Sequence, residues 1–253
     1  ADYFPDILLG RVSVTSTTPL SNWIAKALHS QATKAHSWTA GSDQTPLGYG
    51  LGVDAETDYC ITNYCDPIGW TSTKNYVSDY GSATSNRIRN DVNNGVGLVS
   101  YNGHGASNAW IDGLTWDKSD IDALTNSNYP VVFAFGCNTG EYSLPECLGE
   151  SWVRASHGAT AYIGSTVTSA WREDGYLGRG IYSACSLGMN KVGEIINNGK
   201  HQVFLEEGNT AKVQQYYEMY NILGDPSQEI LTSGTQVVTA PSAPVLLSPA
   251  DAA

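Results

Sequence analysis

Residues 99–105, VSYNGHG, and residues 131–137, VVFAFGC, are two short apolar runs, and each ends at a glycine beside a reactive side chain. Both runs are rich in β-branched and aromatic residues, which is typical of strands buried on both faces of a parallel sheet. The carboxyl ends of neighbouring parallel strands meet at one edge of a sheet, where open α/β proteins form their sites. The pattern therefore predicts that His104 and Cys137 emerge close together, as a thiol nucleophile with a general base.

The segment between these two runs is long enough for a crossover connection. Residues 117–124, DKSDIDAL, predict a short helix with acidic residues in its first turn, so the three pieces form a right-handed βαβ unit. Residues 39–58 are glycine-rich and predict a long irregular loop. Further strands are expected at 6–14, 160–164 and 230–231, and further helices at 19–32, 85–93, 145–153, 176–185, 192–197 and 211–223.

Composition limits the function classes. Of 253 residues, 41% are apolar and only 15% are charged, with 15 Tyr, 7 Trp and 26 Gly, a balance more typical of an exported protein than of a cytosolic one. The formal charge is −12 and no basic patch is visible, which argues against nucleic acid as a partner and favours basic or neutral substrates. No run of 18 apolar residues is present, so no transmembrane segment is expected.

The chain has five cysteines, and an odd number leaves at least one thiol unpaired, which fits Cys137. Cys60 and Cys65 are close enough in sequence for a local disulfide, and Cys147 with Cys185 is a second pairing; the sequence leaves the connectivity open. No His/Cys spacing resembles a zinc site. Taken singly, a cysteine after an apolar run is usually an inert buried thiol, and a lone histidine is usually a hydrogen-bonded structural residue.

Several motifs together resemble a known family. YNGHG at 101–105, AW at 109–110, LTNSN at 124–128 and FGC at 135–137 closely resemble the gingipain-type cysteine peptidases, which belong with caspases, clostripain and legumain in the caspase-like clan. FPDILLGR at 4–11, the ST and Trp171 of 165–171, and LGDPS at 223–227 resemble further elements of that family. The resemblance covers roughly residues 2–232.

The resemblance implies a caspase-like α/β sandwich, in which helices flank a mostly parallel central sheet. Residues 1–234 would form the peptidase domain, without the subdomain that usually precedes it. Residues 235–253 are proline-rich and predict an extended linker into an Ig-like or fibronectin-like module.

The resemblance also implies roles for individual residues. His104 and Cys137 would be the catalytic dyad, and the backbone N–H groups of Gly105 and Cys137 would hold the oxyanion. Asp43 falls near the acidic residue that orients the histidine, although a solvated loop residue is the alternative interpretation of this position.

Four residues are candidates for the pocket that receives the side chain before the cleaved bond, the P1 residue. Asp54 falls near the pocket-floor carboxylate of Arg-specific relatives, with Glu56 and Asp58 as competitors and a plain acidic surface loop as the alternative. Asn102, Phe135 and Trp171 would line the pocket by position. Trp171 could stack on a long basic stem or be an ordinary packed aromatic residue.

The resulting functional expectation is a secreted or cell-surface cysteine endopeptidase, made as a zymogen, that acts on protein or peptide substrates and prefers Arg or Lys at P1. A sorting-type transpeptidase of the same family and a non-catalytic binding module on the peptidase fold are the alternatives. No cofactor is expected for catalysis. A structural Ca²⁺ is a further expectation from the family, and C-terminal modules would provide cell-surface attachment.

Overall fold

The computed structural model describes residue 5 and residues 7–230. The expected linker at 235–253 lies outside these residues, and so does Leu231. The helices are α1 (Thr17–His29), α2 (Val53–Cys60), α3 (Val77–Tyr80), α4 (Thr84–Asn93), α5 (Lys118–Asp122), α6 (Leu148–Arg154), α7 (Trp171–Ser186), α8 (Val192–Glu207) and α9 (Ala211–Met219). The strands are β1 (Ala35–Ala40), β2 (Thr71–Lys74), β3 (Leu98–Asn102), β4 (Gly105–Ala106), β5 (Ala109–Trp110), β6 (Trp116–Asp117), β7 (Val131–Phe135), β8 (Ala161–Ser165) and β9 (Tyr220–Gly224).

Six strands form the central sheet in the order β2-β1-β3-β7-β8-β9. All neighbours are parallel except β8 and β9, which are antiparallel. The two runs that define the fold are adjacent, because Leu98 to Asn102 pair residue by residue with Val131 to Phe135. The expected α/β fold with a mostly parallel sheet is confirmed, and His104 and Cys137 follow neighbouring strands at one edge.

The sheet is buried on both faces by separate hydrophobic clusters. Val99 and Tyr101 point to a cluster with α4, α5 and α6, whereas Leu98, Phe133 and Phe135 point to a cluster with α2, α7, α8 and α9. This alternation follows from the two-residue period of a strand. The continuous apolar runs that marked β3 and β7 in the sequence are therefore explained by helices on both sides.

A second, small antiparallel sheet of β4, β5 and β6 follows His104 directly. Its Trp110 stacks on Tyr101 with ring centroids 4.5 Å apart and an interplanar angle of 7°. The Tyr101 hydroxyl donates to the His104 carbonyl at 2.6 Å. The peptide that carries His104 is thus anchored from below by an aromatic pair.

Several elements differ from the sequence expectation. The helix expected at 176–185 already begins at Trp171, and the helix expected at 192–197 extends to Glu207. Residues 39–58 are not one loop, since β1 extends to Ala40 and α2 begins at Val53. Residues 7–14 form no strand and contribute only a bridge between Arg11 and Leu223. Residues 211–223 are not one helix, because α9 ends at Met219 and the chain continues as β9, antiparallel to β8. No helix among the described residues is both long and apolar enough to cross a membrane.

Candidate active site

His104 lies just beyond β3, and Asp43 lies just beyond the neighbouring parallel strand β1. The imidazole Nε2 is 3.0 Å from the Asp43 carboxylate Oδ2, with the two side chains 50% and 35% exposed. Both groups reach the same sheet edge because their strands run in the same direction. The contact fixes the ring at Nε2 and leaves Nδ1 for proton exchange.

The Asp43 carboxylate is itself held in place. Its Oδ1 accepts hydrogen bonds from the Thr45 backbone N–H at 2.8 Å and the Thr45 hydroxyl at 2.7 Å. These two bonds, and then the contact with His104, lower the pKa of Asp43 below its ordinary value. Asp43 is therefore anionic at neutral pH and presents its second oxygen to the imidazole.

Cys137 follows β7 and is partly exposed, whereas the four other cysteines are buried. Its Sγ lies 3.8 Å from the Ser169 carbonyl and 3.9 Å from the Ser169 hydroxyl. Burial raises the pKa of the other four thiols, that of Cys147 to about 12, so they stay protonated. All five cysteines are free in the structure, so neither of the two disulfides considered from sequence is formed.

The backbones of the His104 and Cys137 loops touch. A Cβ at Gly105 would lie 2.6 Å from the Cys137 carbonyl oxygen and 3.1 Å from the Cys137 nitrogen, and one at Gly136 would lie 2.8 Å from the Gly103 oxygen. Only glycine fits at such separations. The amides of Gly105 and Cys137 consequently lie close together, as an oxyanion hole requires.

Asn138 turns the chain sharply after the thiol. Its φ of 60° makes it the one non-glycine residue with a positive φ in the described part of the chain. Its backbone N–H donates to the Val167 carbonyl at 3.1 Å, which ties the turn to the loop after β8. Asparagine tolerates the left-handed region better than most residues.

Trp171 packs against His104. The two ring centroids are 5.0 Å apart in an edge-to-face arrangement, and Trp171 is the first residue of α7. It does not line the cleft described next, so its expected contact with a substrate stem stays a prediction.

A narrow cleft lies beneath this edge of the sheet, and its free volume is only about 10 Å³, room for about one water molecule. Asn102 and Phe135, two of the predicted pocket residues, line it together with Trp38, Glu56, Thr57, Cys60, Ser100, Asp174, Gly175, Gly178 and Tyr182. The Asn102 side-chain oxygen is buried and accepts no hydrogen bond from the described residues. The cleft thus offers an unused acceptor to a donor on a ligand.

Asp174 also lines the cleft, although no pattern in the sequence predicted it. Its carboxylate accepts hydrogen bonds from Ser169 at 2.7 Å, from Tyr216 at 2.8 Å and from Tyr220 at 2.7 Å. Burial raises its pKa to about 6. Since Ser169 also contacts the Cys137 thiol, this carboxylate is one residue removed from the nucleophile. The one available signal was its spacing from Trp171, three residues along one helix face.

Asp54 lies in the first turn of α2 and does not line the cleft. One of its oxygens accepts from the Ser78 hydroxyl at 2.7 Å, and the other is buried without a hydrogen-bond partner among the described residues. Glu56 does line the cleft, but Arg179 holds both of its oxygens at 2.6 and 2.9 Å. Asp54 therefore keeps an unused oxygen, whereas Glu56 is neutralised.

A larger cavity of about 460 Å³ lies elsewhere, between Pro5, Ile7 and Leu9 on one side and the helices α8 and α9 with strand β9 on the other. None of the predicted site residues lines it. Among residues 5 and 7–230, no group of three or more His, Cys, Asp or Glu side chains could hold a metal ion, so the structural Ca²⁺ stays an expectation from the family.

His104, Asp43 and Cys137 all follow neighbouring parallel strands of the central sheet at one edge. The family model of peptidase family C25 matches residues 1–231. The chain belongs to peptidase family C25. Catalysis by a cysteine peptidase of this kind calls for no cofactor beyond protein side chains.

The chain is similar in sequence and in structure to gingipains. Lys-gingipain W83 from Porphyromonas gingivalis is 28% identical over 270 residues, covering 89% of this chain. The chain spans 15% of that relative's length. The crystal structure of the Arg-specific cysteine proteinase gingipain R superposes with a TM-score of 0.81 at 20% identity, covering 92% of this chain and 57% of that one.

The caspase-like character of the fold is also confirmed. Caspase-1 from Spodoptera frugiperda superposes with a TM-score of 0.50 at 12% identity, covering 90% of this chain and 99% of the caspase chain. This C25 chain therefore shares the sheet and its flanking helices with caspases.

Proposed function

We propose that this chain is an exported cysteine endopeptidase that cleaves after lysine or arginine through a thioester intermediate. The observation that carries the proposal is the Asp43–His104 contact of 3.0 Å at the sheet edge that also presents Cys137, the only cysteine of the five that is not buried. Membership in a peptidase family supports the same reaction class.

The reaction proceeds in two halves. The Cys137 thiolate attacks the scissile carbonyl carbon, and the oxyanion that forms is held by the N–H groups of Gly105 and Cys137. The carbon–nitrogen bond then breaks, and the leaving amine takes a proton from His104. In the second half a water molecule gives a proton to His104 and attacks the thioester, which releases the carboxylic acid and the thiolate.

Asp43 orients the imidazole for both halves. A carboxylate at Nε2 fixes the ring plane, so Nδ1 is the atom that gives and takes the proton. Because His104 is half exposed, the benefit lies in orientation more than in Coulomb energy.

Selection of a basic P1 side chain belongs to the cleft. A lysine or arginine entering beside Asn102 and Phe135 would have to widen this cleft of about 10 Å³, and it would then meet the Asp174 carboxylate and the unused Asn102 oxygen, which accept hydrogen bonds from a cation. Asp54, with its own unused oxygen on the neighbouring helix, is the second carboxylate candidate. The net charge of −12 supports the same preference at long range.

The test is cleavage of a peptide library by the wild type and by Cys137→Ala. We expect the wild type to cut after Lys or Arg and the variant to be inactive, because the nucleophile is gone. Cys65→Ala is the matched control, since it removes a buried thiol far from solvent and should retain activity. Undiminished cleavage by Cys137→Ala would refute the mechanism, and cleavage without enrichment of Lys or Arg would refute the specificity. Fractionation of the native host tests export.

A further inference from the structure

Asp112 lies where three loops of the site meet. It follows β5, the middle strand of the small sheet, and its residue is only 3% exposed. Its hydrogen bonds go to the Ser42 hydroxyl and to backbone N–H groups, not to the Cys137 thiol or the His104 ring, and the mechanism above does not use it. A carboxylate buried in this place requires a partner for each oxygen.

One oxygen of Asp112 holds the loop that carries Asp43. Its Oδ1 accepts from the Ser42 N–H at 2.9 Å, the Ser42 hydroxyl at 2.7 Å and the Asp43 N–H at 3.0 Å. The Ser42 N–H also lies 3.2 Å from the Asp112 carbonyl oxygen. Three hydrogen bonds to one carboxylate oxygen thus hold the backbone of Ser42 and Asp43 in place.

The other oxygen holds the loop that carries the histidine. Its Oδ2 accepts from the His104 N–H at 3.1 Å. The space for this carboxylate exists because Gly41 and Gly103 have no side chain: a Cβ at Gly103 would lie 2.9 Å from Oδ2, and one at Gly41 would clash with the same oxygen. Both strand ends are therefore shaped around Asp112.

We propose that Asp112 is a positioning residue that sets the Asp43–His104 contact by binding the backbone N–H groups of both residues with one carboxylate. The donors are all neutral, so its effect on the site is geometric: the two oxygens, fixed relative to each other, fix the two loops relative to each other. This inference rests on the proposed function, because it concerns how the Asp43–His104 pair is held for catalysis.

A residue that acts through Asp43 differs measurably from one that only stabilises the fold. Asp112→Asn keeps the shape but turns an amide NH₂ toward backbone N–H donors, which breaks the contact with one loop. We expect kcat to fall by about 10- to 100-fold, the scale of a misplacement near 1 Å, with KM for a basic peptide changed less than about 3-fold, because the cleft is lined by other residues.

The decisive comparison is a double-mutant cycle with Asp43→Asn. If Asp112 acts through Asp43, Asp112→Asn lowers kcat by less than about 3-fold once Asp43 is already disabled. Asp117→Asn is the matched control: this carboxylate also accepts from a backbone N–H and a hydroxyl, both of Ser119, and it lies on β6 of the same small sheet. We expect Asp117→Asn to leave kcat unchanged.

Two outcomes overturn the inference: wild-type kcat in Asp112→Asn, or an equal loss of kcat in the wild-type and Asp43→Asn backgrounds. If Asp112→Asn fails to fold, Ser42→Ala replaces it, since it removes a single bond to Asp112; its smaller loss of kcat must likewise vanish with Asp43→Asn. Activity in Cys137→Ala would instead overturn the proposed function. An inactive Cys137→Ala beside a fully active Asp112→Asn would overturn this inference alone.

Discussion

At the scale of single residues, the cleft contains a carboxylate whose charge depends on pH near neutrality. Asp174 accepts three hydroxyl hydrogen bonds, yet burial still raises its pKa to about 6. Below that pH the group is neutral and attracts a basic side chain only weakly. We expect KM for a peptide with Lys or Arg at P1 to fall as pH rises through about 6.

Asp174→Asn should remove this pH dependence and raise KM at pH 7.5 by about 10- to 100-fold, the value of a hydrogen bond between charged groups. Asp54→Asn is the matched comparison, because it neutralises the other candidate carboxylate. Steady-state kinetics from pH 5 to 8 decide between them. A large effect of Asp54→Asn with none from Asp174→Asn would assign the recognition to Asp54.

The raised pKa of Asp174 also makes the stability of the folded protein depend on pH. The pKa of Asp174 is raised in the folded protein, so between about pH 4 and 6 the native state binds more protons than the unfolded state, and this group's contribution to stability falls as pH rises through that window. Above about pH 6, where the cleft is expected to bind cations, the ionised Asp174 carboxylate therefore lowers the free energy of unfolding.

Some residues of the site could be predicted from the sequence, and others could not. His104 and Cys137 were visible because each interrupts an apolar run beside a glycine. Asp43 was found through the family resemblance. Asp112 and Asp174 were not found, since the partners that bury them include Ser42 and Tyr220, 70 and 46 positions away along the chain, and no local pattern encodes such contacts.

At the scale of elements, the turn after β7 decides where the thiol lies. Asn138 has a φ of 60°, a region that β-branched side chains avoid at a cost of roughly 1–2 kcal/mol. We expect Asn138→Val to lower stability by about that amount and to slow alkylation of Cys137, because the turn that carries the thiol must shift. Asn138→Gly adopts this φ freely and is the matched control. Thermal unfolding and iodoacetamide kinetics measure both effects, and equal alkylation rates in the two variants would contradict the expectation.

Elements were predicted well where their pattern was local. The pairing of β3 with β7 followed from their two apolar runs and the helical pattern between them. β1 was missed because three of its residues are polar yet buried, which no local pattern indicates; Ser37, for one, donates to the distant Asp91 at 2.8 Å. β9 was read as part of a helix because the helical pattern of α9 continues into it without a break.

At the scale of the whole molecule, the chain carries a formal charge of −12, and its site is proposed to bind cations. Long-range attraction raises the encounter rate with basic substrates and is screened by salt, with a Debye length of about 10 Å at 0.1 M. We expect kcat/KM for a peptide with extra flanking lysines to fall several-fold between 20 and 500 mM NaCl. A peptide with the same P1 residue and flanking glutamates should show no fall, or a rise. Identical salt dependence for both peptides would contradict the electrostatic argument.

The burial of four thiols beside one accessible thiol has a practical consequence for stoichiometry. Because Cys60, Cys65, Cys147 and Cys185 lie inside the folded chain, an alkylating reagent should be consumed at one equivalent per intact molecule. The amount consumed would then count competent active sites in any preparation, and consumption beyond one equivalent, four further equivalents for each unfolded molecule, would report the unfolded fraction.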